Sequence, residues 1–196
     1  MRFVLVTTNK GKIEEFQTIF REYNLKYRVD LLKTREVQSD DLKEIAAESA
    51  LYAYSILREP VLVEDSGLFI TSLNGFPGPY SSYIYRTLGV RGILKLMEDV
   101  KDRSAVFLSV IAFYSPYTEL KVFSGEVGGM ISSEPRGARW FGFDPIFIPD
   151  EGDGETYAEM DIIKKNKISH RGRSARAFAE WLSTLTSLPP PYMDLR

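Results

Sequence analysis

The sequence of 196 residues contains no cysteine and a single histidine. The absence of cysteine excludes disulfides, thiolate metal sites and thiol nucleophiles. With 25 basic and 27 acidic residues the net charge is only −2, which argues against a general nucleic-acid surface, because such a surface is strongly basic. Apolar runs stay short of the roughly 18 residues of a membrane helix, and the N-terminus shows no signal peptide. We therefore expect a cytoplasmic protein that binds neither a membrane nor a nucleic-acid polymer.

Hydrophobic residues make up 44% of the chain, which is enough to build a sizeable core. We find no repeat, low-complexity tract or shift in composition that would mark a boundary between domains. The sequence predicts one domain over residues 1–187. Three consecutive prolines then predict a loose, non-helical tail over residues 188–196.

Residues 61–67, Val-Leu-Val-Glu-Asp-Ser-Gly, run from three β-formers into two carboxylates and a glycine. The pattern predicts a strand buried on both faces that ends beside Asp65, at the edge of a sheet where ligands bind. Because side chains alternate along a strand, Asp65 shares a face with Val63 whereas Glu64 points the other way, so only one acid is expected to reach a cleft. The alternative is a solvated strand end or an Asx turn ahead of Gly67.

The first 20 residues predict a strand over residues 2–7 and a helix from Lys10 onward, joined by a polar turn. This arrangement brings backbone N–H groups, a helix dipole and two lysines to one place, which suits a polyphosphate. The segment lacks the spacing of a Walker A loop. An ordinary N-cap formed by Asn9 or Thr8, with surface lysines, is the alternative.

The middle of the chain predicts a strand over residues 25–32, a helix over 41–57, helices over 79–88 and 90–98 with a break at Gly89, and a hairpin of strands over 104–114 and 120–131. Glu36 lies in the loop before the second helix. A carboxylate there is free to bind a metal, or else it is a solvated loop acid.

Two polar segments in the last third are candidate binding elements. Phe141 and Phe143 flank Gly142, which would let a flat ring approach the backbone, and Asp144 can accept from a ring N–H; the alternative is two core aromatics in a strand. Farther on, His170 follows Ser169, a good N-cap for a helix running to about residue 185.

Lys165, His170 and Arg171 together offer donors near the start of that last helix, where anions and carbonyl oxygens are received. A single histidine is more often a packing residue than a catalyst, so packing is the alternative role for His170.

The motifs, taken together and in order, resemble those of the inosine triphosphate pyrophosphatases, also called non-canonical purine nucleoside triphosphate pyrophosphatases. The resemblance covers nearly the whole chain. The matching segments are Thr7-Thr8-Asn9-x-x-Lys12, Glu36, Glu64-Asp65-Ser66-Gly67-Leu68, Gly75-Phe76-Pro77-Gly78, Phe141-Gly142-Phe143-Asp144-Pro145 and Ser169-His170-Arg171.

The resemblance implies an α/β fold with a long, mixed, twisted sheet flanked by helices, two lobes around a central cleft, and a homodimer. It also implies Mg²⁺-dependent hydrolysis of ITP, dITP and XTP between the α- and β-phosphates, which yields the nucleoside monophosphate and pyrophosphate and cleanses the nucleotide pool.

Carried over residue by residue, the resemblance makes Glu36 and Asp65 the metal ligands. Asp65 and Lys12 become the catalytic residues, with Asp65 as the proton acceptor for the attacking water and Lys12 as the main cation. The remaining implied substrate contacts are Thr7, Thr8, Asn9, Lys10, Gly11, Ser66, Phe141, Gly142, Phe143, Asp144, Lys165, His170 and Arg171. A 6-oxo purine would accept from His170 and Arg171, whereas the amino group of adenine would leave those donors unpaired.

The chain departs from the family pattern at Ser49, where many members carry a lysine, so a phosphate contact is either missing or supplied by Lys43 or Arg86. Two other functions stay open at this stage. One is a pyrophosphatase for modified pyrimidine or standard triphosphates, and the other is a non-catalytic nucleotide-binding dimer.

Overall fold

The computed structural model describes residues 1–35, 37–139 and 141–186, which form seven strands and six α-helices. The strands are β1 (Arg2–Val6), β2 (Lys26–Asp30), β3 (Val61–Ile70), β4 (Pro77–Gly78), β5 (Ser104–Ser115), β6 (Glu119–Ile131) and β7 (Phe147–Pro149). The helices are α1 (Lys10–Glu22), α2 (Leu42–Leu57), α3 (Ser81–Thr87), α4 (Gly89–Leu96), α5 (Ile162–Ile168) and α6 (His170–Thr186). The predicted tail over residues 188–196 lies outside the described residues.

All seven strands belong to one sheet with the order β2-β1-β3-β5-β6-β7, and β4 pairs with the outer part of β3. The pairs of β1 with β2 and with β3 are parallel, whereas the other pairs are antiparallel. The predicted mixed sheet with flanking helices is therefore confirmed. The predicted hairpin is also confirmed, since β5 and β6 pair along their whole length.

The sheet is covered on both faces because the side chains of its central strands alternate. Phe3 and Leu5 of β1 pack with α1 and α6 on one face, whereas Val4 and Val6 pack with α2 on the other. Aromatic rings fill the first of these layers, with Phe178 of α6 against Phe3 at 5.3 Å between ring centroids. Small alanines on α2 let that helix lie close to the sheet on the other side.

β3 is longer than the sequence predicts. It pairs with β5 as far as Ile70, so Gly67 lies inside the strand and Asp65 in its middle. A Cβ on Gly67 would lie 2.4 Å from the carbonyl oxygen of Gly78, so the glycine is required for the close approach of β4. The prediction of a strand end near Asp65 was therefore wrong, because a distant strand, β5, extends the ladder.

Asp65 nevertheless borders an opening, because the other neighbour of β3 stops early. The parallel pairing of β1 with β3 ends at Val6 opposite Val63. Beyond that pair the chain leaves the sheet to form the turn before α1. The edge of β3 from Glu64 to Gly67, between the end of the β1 pairing and the start of the β4 pairing, is therefore left without a neighbouring strand.

The last two helices form a compact corner. Ser169 separates α5 from α6, and its hydroxyl accepts from the amide of Gly172 at 3.0 Å, which confirms its predicted capping position. A Cβ on Gly172 would lie 1.9 Å from the carbonyl oxygen of Asn166, so glycine permits the tight packing of α6 on α5. Within the described part of the chain, helices are too short or too polar to cross a membrane.

Candidate active site

A cavity of about 730 Å³ opens beside the free edge of β3. Segments far apart in the sequence line it: the turn after β1, the loop after β2, the middle of β3, the face of α3 and the start of α6. Most of the predicted site residues line this cavity, namely Thr7, Thr8, Asn9, Lys12, Asp65, Ser66, Phe141, Gly142, Phe143, Asp144, His170 and Arg171.

Three predicted contacts do not line the cavity. Lys10 is exposed on the first turn of α1, which turns its side chain away while Lys12 remains on the wall. Gly11 packs against Phe141 instead, since a Cβ on Gly11 would lie 2.1 Å from a ring carbon. Lys165 is fully buried behind the wall. Glu36, the predicted second metal ligand, lies outside the described residues.

The turn after β1 builds the polar end of the cavity. Asn9 caps α1, and its side chain accepts from the amide of Lys12 at 3.2 Å, while the Thr7 hydroxyl accepts from the Asn9 amide at 3.2 Å. The N-cap alternative is therefore correct as local structure, yet the same turn faces the cavity. Lys12 is not a free surface lysine, because its Nζ donates to the Glu64 carbonyl oxygen at 3.0 Å and pairs with the Glu64 carboxylate at 2.9 Å.

Glu64 is a site residue that the sequence did not assign. It is 6% exposed, accepts from the Ser109 hydroxyl at 2.7 Å and lies 3.2 Å from the Nε of Arg171. Burial alone would raise its pKa, but the charges of Arg171 and Lys12 outweigh burial and hold the pKa well below its usual range. Both Glu64 and Asp65 line the cavity, so the expectation that only one acid reaches it was wrong. Glu64 lies at the wall together with Lys12 and Arg171, the two cavity-lining cations that its carboxylate contacts.

Glu15 is a second residue that the sequence did not assign, and it is fully buried behind the cavity wall rather than lining it. Its carboxylate oxygens lie 2.6 Å from the Nζ of Lys165 and 2.6 Å from the Nη1 of Arg171. Burial raises its pKa, but the two cations more than compensate and lower it to about 2. The sequence did carry a signal: Glu15 stands three residues after Lys12 and four before Ile19, which places a carboxylate on the buried stripe of α1.

Six charged groups form one series that alternates in sign. Its members, in spatial order, are Asp144, Lys165, Glu15, Arg171, Glu64 and Lys12. Asp144 stands at one end of the series, where burial and the charge of Glu15 outweigh the attraction of Lys165, at 2.6 Å, and of Arg171, so its pKa is raised. The series compensates its own charges, which allows ionised groups to remain inside the protein.

Phe141 and Phe143 have different surroundings. Phe141 is half-buried, and the cations of Lys165 and Arg171 lie 5.5 and 5.4 Å from its ring centroid. Phe143 is buried and meets the ring of Tyr85 edge-to-face at 5.7 Å. The alternative of two core aromatics in a strand is confirmed only for the burial of Phe143, which belongs to the core; Phe141 is half-buried, and the segment forms a 3-10 turn over Asp144–Ile146 instead of a strand.

The position of His170 is compatible with both alternatives, a packing residue and a donor at the site. Its side chain is buried in the interior, and the residue also lines the cavity. Its ring stacks on Phe107 at 4.5 Å, with 6° between the planes. Burial, followed by the charge of Arg171, lowers its pKa well below 6.5. The imidazole is therefore neutral and carries one N–H, and its Nδ1 has no hydrogen-bond partner among the described residues.

Arg171 joins the buried series to the cavity wall. In addition to Glu15 and Glu64, its Nη2 donates to the Ser66 hydroxyl at 2.9 Å. A guanidinium carries five N–H groups, so three partners leave two donors over on a side chain that lines the cavity. The arrangement fixes the side chain firmly and presents a cation beside the Phe141 ring.

The described acids of the cavity offer oxygen ligands for a metal, mainly from Asp65. Glu64 and Asp144 are bound by cations of the buried series. Asp65 is half-buried, lines the cavity and accepts from the Ser66 amide at 2.8 Å. The described residues contain no group of three or more histidine, aspartate or glutamate side chains arranged around a metal. Carboxylate oxygens such as those of Asp65 suit Mg²⁺, which usually keeps several waters and needs few protein ligands.

Ser49, where many family members carry a lysine, lies at the wall of the cavity. Ser49 is buried, lines the cavity, and donates from its hydroxyl to the Arg35 carbonyl oxygen at 3.4 Å. Of the two candidate replacements for the missing lysine, Arg86 lines the cavity and Lys43 does not.

Comparison with known proteins gives consistent matches along the chain. A model described as the Ham1 family matches residues 3–181. A Methanopyrus kandleri protein named dITP/XTP pyrophosphatase is 50% identical over 182 residues, covering 92% of this chain and 96% of that protein. A Hyperthermus butylicus protein of the same name is 49% identical over 179 residues, covering 91% and 93%. The solved structure of a HAM1 protein from Coxiella burnetii matches with a TM-score of 0.83 and 32% identity, covering 94% of this chain and 99% of that one.

Proposed function

Since this chain belongs to the Ham1 family, we propose that it hydrolyses dITP, ITP and XTP to the nucleoside monophosphate and pyrophosphate. The observation that carries the proposal is that the N-terminus of α1, Lys12 and Asp65 all line one cavity. Relatives about half identical to this chain are named dITP/XTP pyrophosphatases, which supports the same substrate class.

The polar end of the cavity would receive the phosphates. Thr7, Thr8 and Asn9 lead into the positive end of the α1 dipole, and Lys12 adds a full charge held in place by Glu64. Donors fixed before the reaction stabilise the charge that develops as the P–O bond breaks. In this proposal Glu64 is a positioning residue, because it keeps the Lys12 ammonium at the wall of the cavity.

Asp65 would accept the proton of the attacking water. It is the half-buried carboxylate of the described cavity wall, and its backbone is fixed inside a ten-residue strand. We further propose that Asp65 and Glu36 hold Mg²⁺, which would neutralise phosphate charge and lower the pKa of bound water. An ionised Asp65 then needs only modest basicity to complete the deprotonation.

The aromatic end of the cavity would bind the base. Phe141 offers a ring face for stacking, and Arg171 and the single N–H of neutral His170 offer donors to a 6-oxo group. An adenine amino group would leave such buried donors unpaired, at a cost of about 1–3 kcal/mol for each donor. The expected discrimination against ATP is therefore on the order of tenfold or more.

We also propose that the protein is a homodimer and acts in the cytoplasm. The sequence resemblance implies a dimer. The proposed substrates, inosine and xanthosine triphosphates, belong to the nucleotide pool, which supports a role in the cytoplasm. Sedimentation equilibrium of the purified protein tests the dimer, and a single species of 22.4 kDa would contradict it.

The test of the proposed reaction is the identity of its first phosphate product. ITP is incubated with the protein, with and without Mg²⁺, and pyrophosphate and orthophosphate are measured separately. The proposal predicts pyrophosphate together with inosine monophosphate, and only when Mg²⁺ is present. Orthophosphate as the first product would contradict it.

A further inference from the structure

Lys33 and Arg86 stand apart from the other charges of the cavity wall. The basic side chains that line it, within the described residues, are Lys12, Lys33, Arg86 and Arg171. Lys12 and Arg171 belong to the alternating buried series and are compensated there. Lys33 and Arg86 are exposed, and neither has an ion pair or a side-chain hydrogen bond with any described residue.

The fold brings these two cations to the cavity wall from two separate segments, the loop after β2 and helix α3. The amide of Thr7 donates to the carbonyl oxygen of Asp30 at 3.1 Å, so the segment that carries Lys33 leaves β2 directly beside the turn before α1. In the second segment, the Ser81 hydroxyl donates to the Gly78 carbonyl oxygen and accepts from the Leu68 amide at 2.8 Å. This pair of bonds anchors the start of α3 to β3.

Exposure distinguishes the two cations from the inner ones. Glu15, Lys165 and Arg171 are at most 2% exposed and are fixed by short ion pairs, which suits contacts that must not move. Lys33 and Arg86 extend from the rim on long, flexible side chains. Such side chains suit a charged group that enters from solvent and must leave again, and Arg in particular can bind phosphate oxygens with two parallel donors.

We propose that Lys33 and Arg86 bind the β- and γ-phosphates of the substrate, the part that leaves as pyrophosphate. They thereby select triphosphates over monophosphates, which lack this part. The inference rests on the proposed function, since it assigns the tail of that substrate to these two side chains. The inner series adds no net positive charge, because its three cations are matched by Glu15, Glu64 and Asp144, so Lys12 would receive phosphate beside a carboxylate whereas Lys33 and Arg86 would add positive charge that the series does not offset.

Direct binding measurements test the assignment without turnover. Lys33→Gln and Arg86→Gln remove one charge each, and Lys101→Gln and Arg91→Gln are matched controls at exposed positions that do not line the cavity. Calorimetry measures the affinity of each protein for magnesium pyrophosphate and for inosine monophosphate. We expect each cavity variant to bind pyrophosphate about three- to tenfold more weakly, as for an exposed charge-assisted contact. Monophosphate affinity should stay unchanged, and the controls should match the unaltered protein.

Three results would overturn the assignment: unchanged pyrophosphate affinity in both cavity variants, equal losses for pyrophosphate and monophosphate, or no pyrophosphate binding by the unaltered protein. Failure of the proposed function gives a different result, namely no pyrophosphate released from any triphosphate. A selective loss of pyrophosphate affinity would support the two-cation site even in that case.

Discussion

Asp65 is the residue on which the proposed chemistry depends. Its place in the middle of β3, paired on one side with β5 and open on the other, gives a fixed carboxylate at a cavity wall. Its neighbour Glu64 has a different environment, because Lys12 and Arg171 hold that acid ionised and inside the protein. The proposal thus gives the two adjacent acids separate roles, Asp65 as proton acceptor and Glu64 as the group that positions Lys12.

Asp65→Asn should lower kcat for ITP by at least about 100-fold, because it removes the proposed base with little change in volume. Nucleotide binding should persist. Initial rates of pyrophosphate release from ITP give kcat for the variant and for the unaltered protein. Calorimetry without Mg²⁺ gives the affinity of each for ITP. Unchanged turnover would show that another group accepts the proton.

Glu15→Gln tests the buried series of charges. The substitution leaves Lys165 and Arg171 short of a counter-charge, and breaking such a buried pair costs about 3–5 kcal/mol. Chemical denaturation should show a loss of this size in the free energy of unfolding. Glu14→Gln is the matched control, since Glu14 is the exposed neighbour on the same helix. Equal stabilities of the two variants would mean that Glu15 contributes nothing to the series.

At the scale of elements, the turn before α1 and the segment around Phe141 depend on each other. Gly11 leaves room for the Phe141 ring, which in turn forms part of the aromatic wall. The first turn of α1 therefore contributes to the polar end of the cavity and supports its aromatic wall. This coupling is a contact between residues 130 positions apart in the chain.

Gly11→Ala should displace the Phe141 ring, because the new Cβ would lie 2.1 Å from a ring carbon. Overpacking of this kind costs about 1–3 kcal/mol, so both the melting temperature and the affinity for ITP should fall. Glu14→Ala, on the exposed face of the same helix, controls for the change in helix propensity. A melting temperature and a KM for ITP equal to those of the unaltered protein would contradict the proposed coupling.

The elements also differ in how well the sequence predicts them. The bounds of α2 and of the β5–β6 hairpin follow from local patterns, and the structure confirms them nearly to the residue. The length of β3 cannot be predicted from local patterns, because it depends on pairing with β5, which is distant in the sequence. The motifs likewise single out Asp65 and Arg171 as candidates, whereas the ion pairs of Glu15 and Glu64 join segments far apart in the chain and could not be predicted from local patterns.

At the scale of the whole molecule, the buried ionisable groups predict how stability varies with pH. The pKa of Glu15 is lowered from 4.5 to about 2, so its stabilising contribution is present above pH 4.5 and is lost as the pH falls toward 2. Glu64 acts with the same sign. The lowered pKa of His170 means that acid favours the unfolded chain, which binds the proton, from about pH 6.5 downward. The raised pKa of Asp144 opposes this trend in part, because ionised Asp144 is disfavoured by burial.

The melting temperature should therefore decline below about pH 6.5 and decline more steeply below pH 4.5. Scanning calorimetry across this range measures the effect. In His170→Gln the decline between pH 6.5 and 5 should be weaker, since the substituted side chain does not titrate. An equally steep decline in that variant would assign the first stage to other groups.

The substrate preference of the unaltered protein tests the central claim most directly. Initial rates of pyrophosphate release, measured with Mg²⁺ over a range of substrate concentrations, give kcat/KM for ITP, XTP, GTP, ATP, dUTP and TTP. The account predicts that the values for ITP and XTP exceed that for ATP by about tenfold or more, since adenine leaves the donors of Arg171 and His170 unpaired. Equal values for ATP and ITP, or the highest value for a pyrimidine triphosphate, would contradict it.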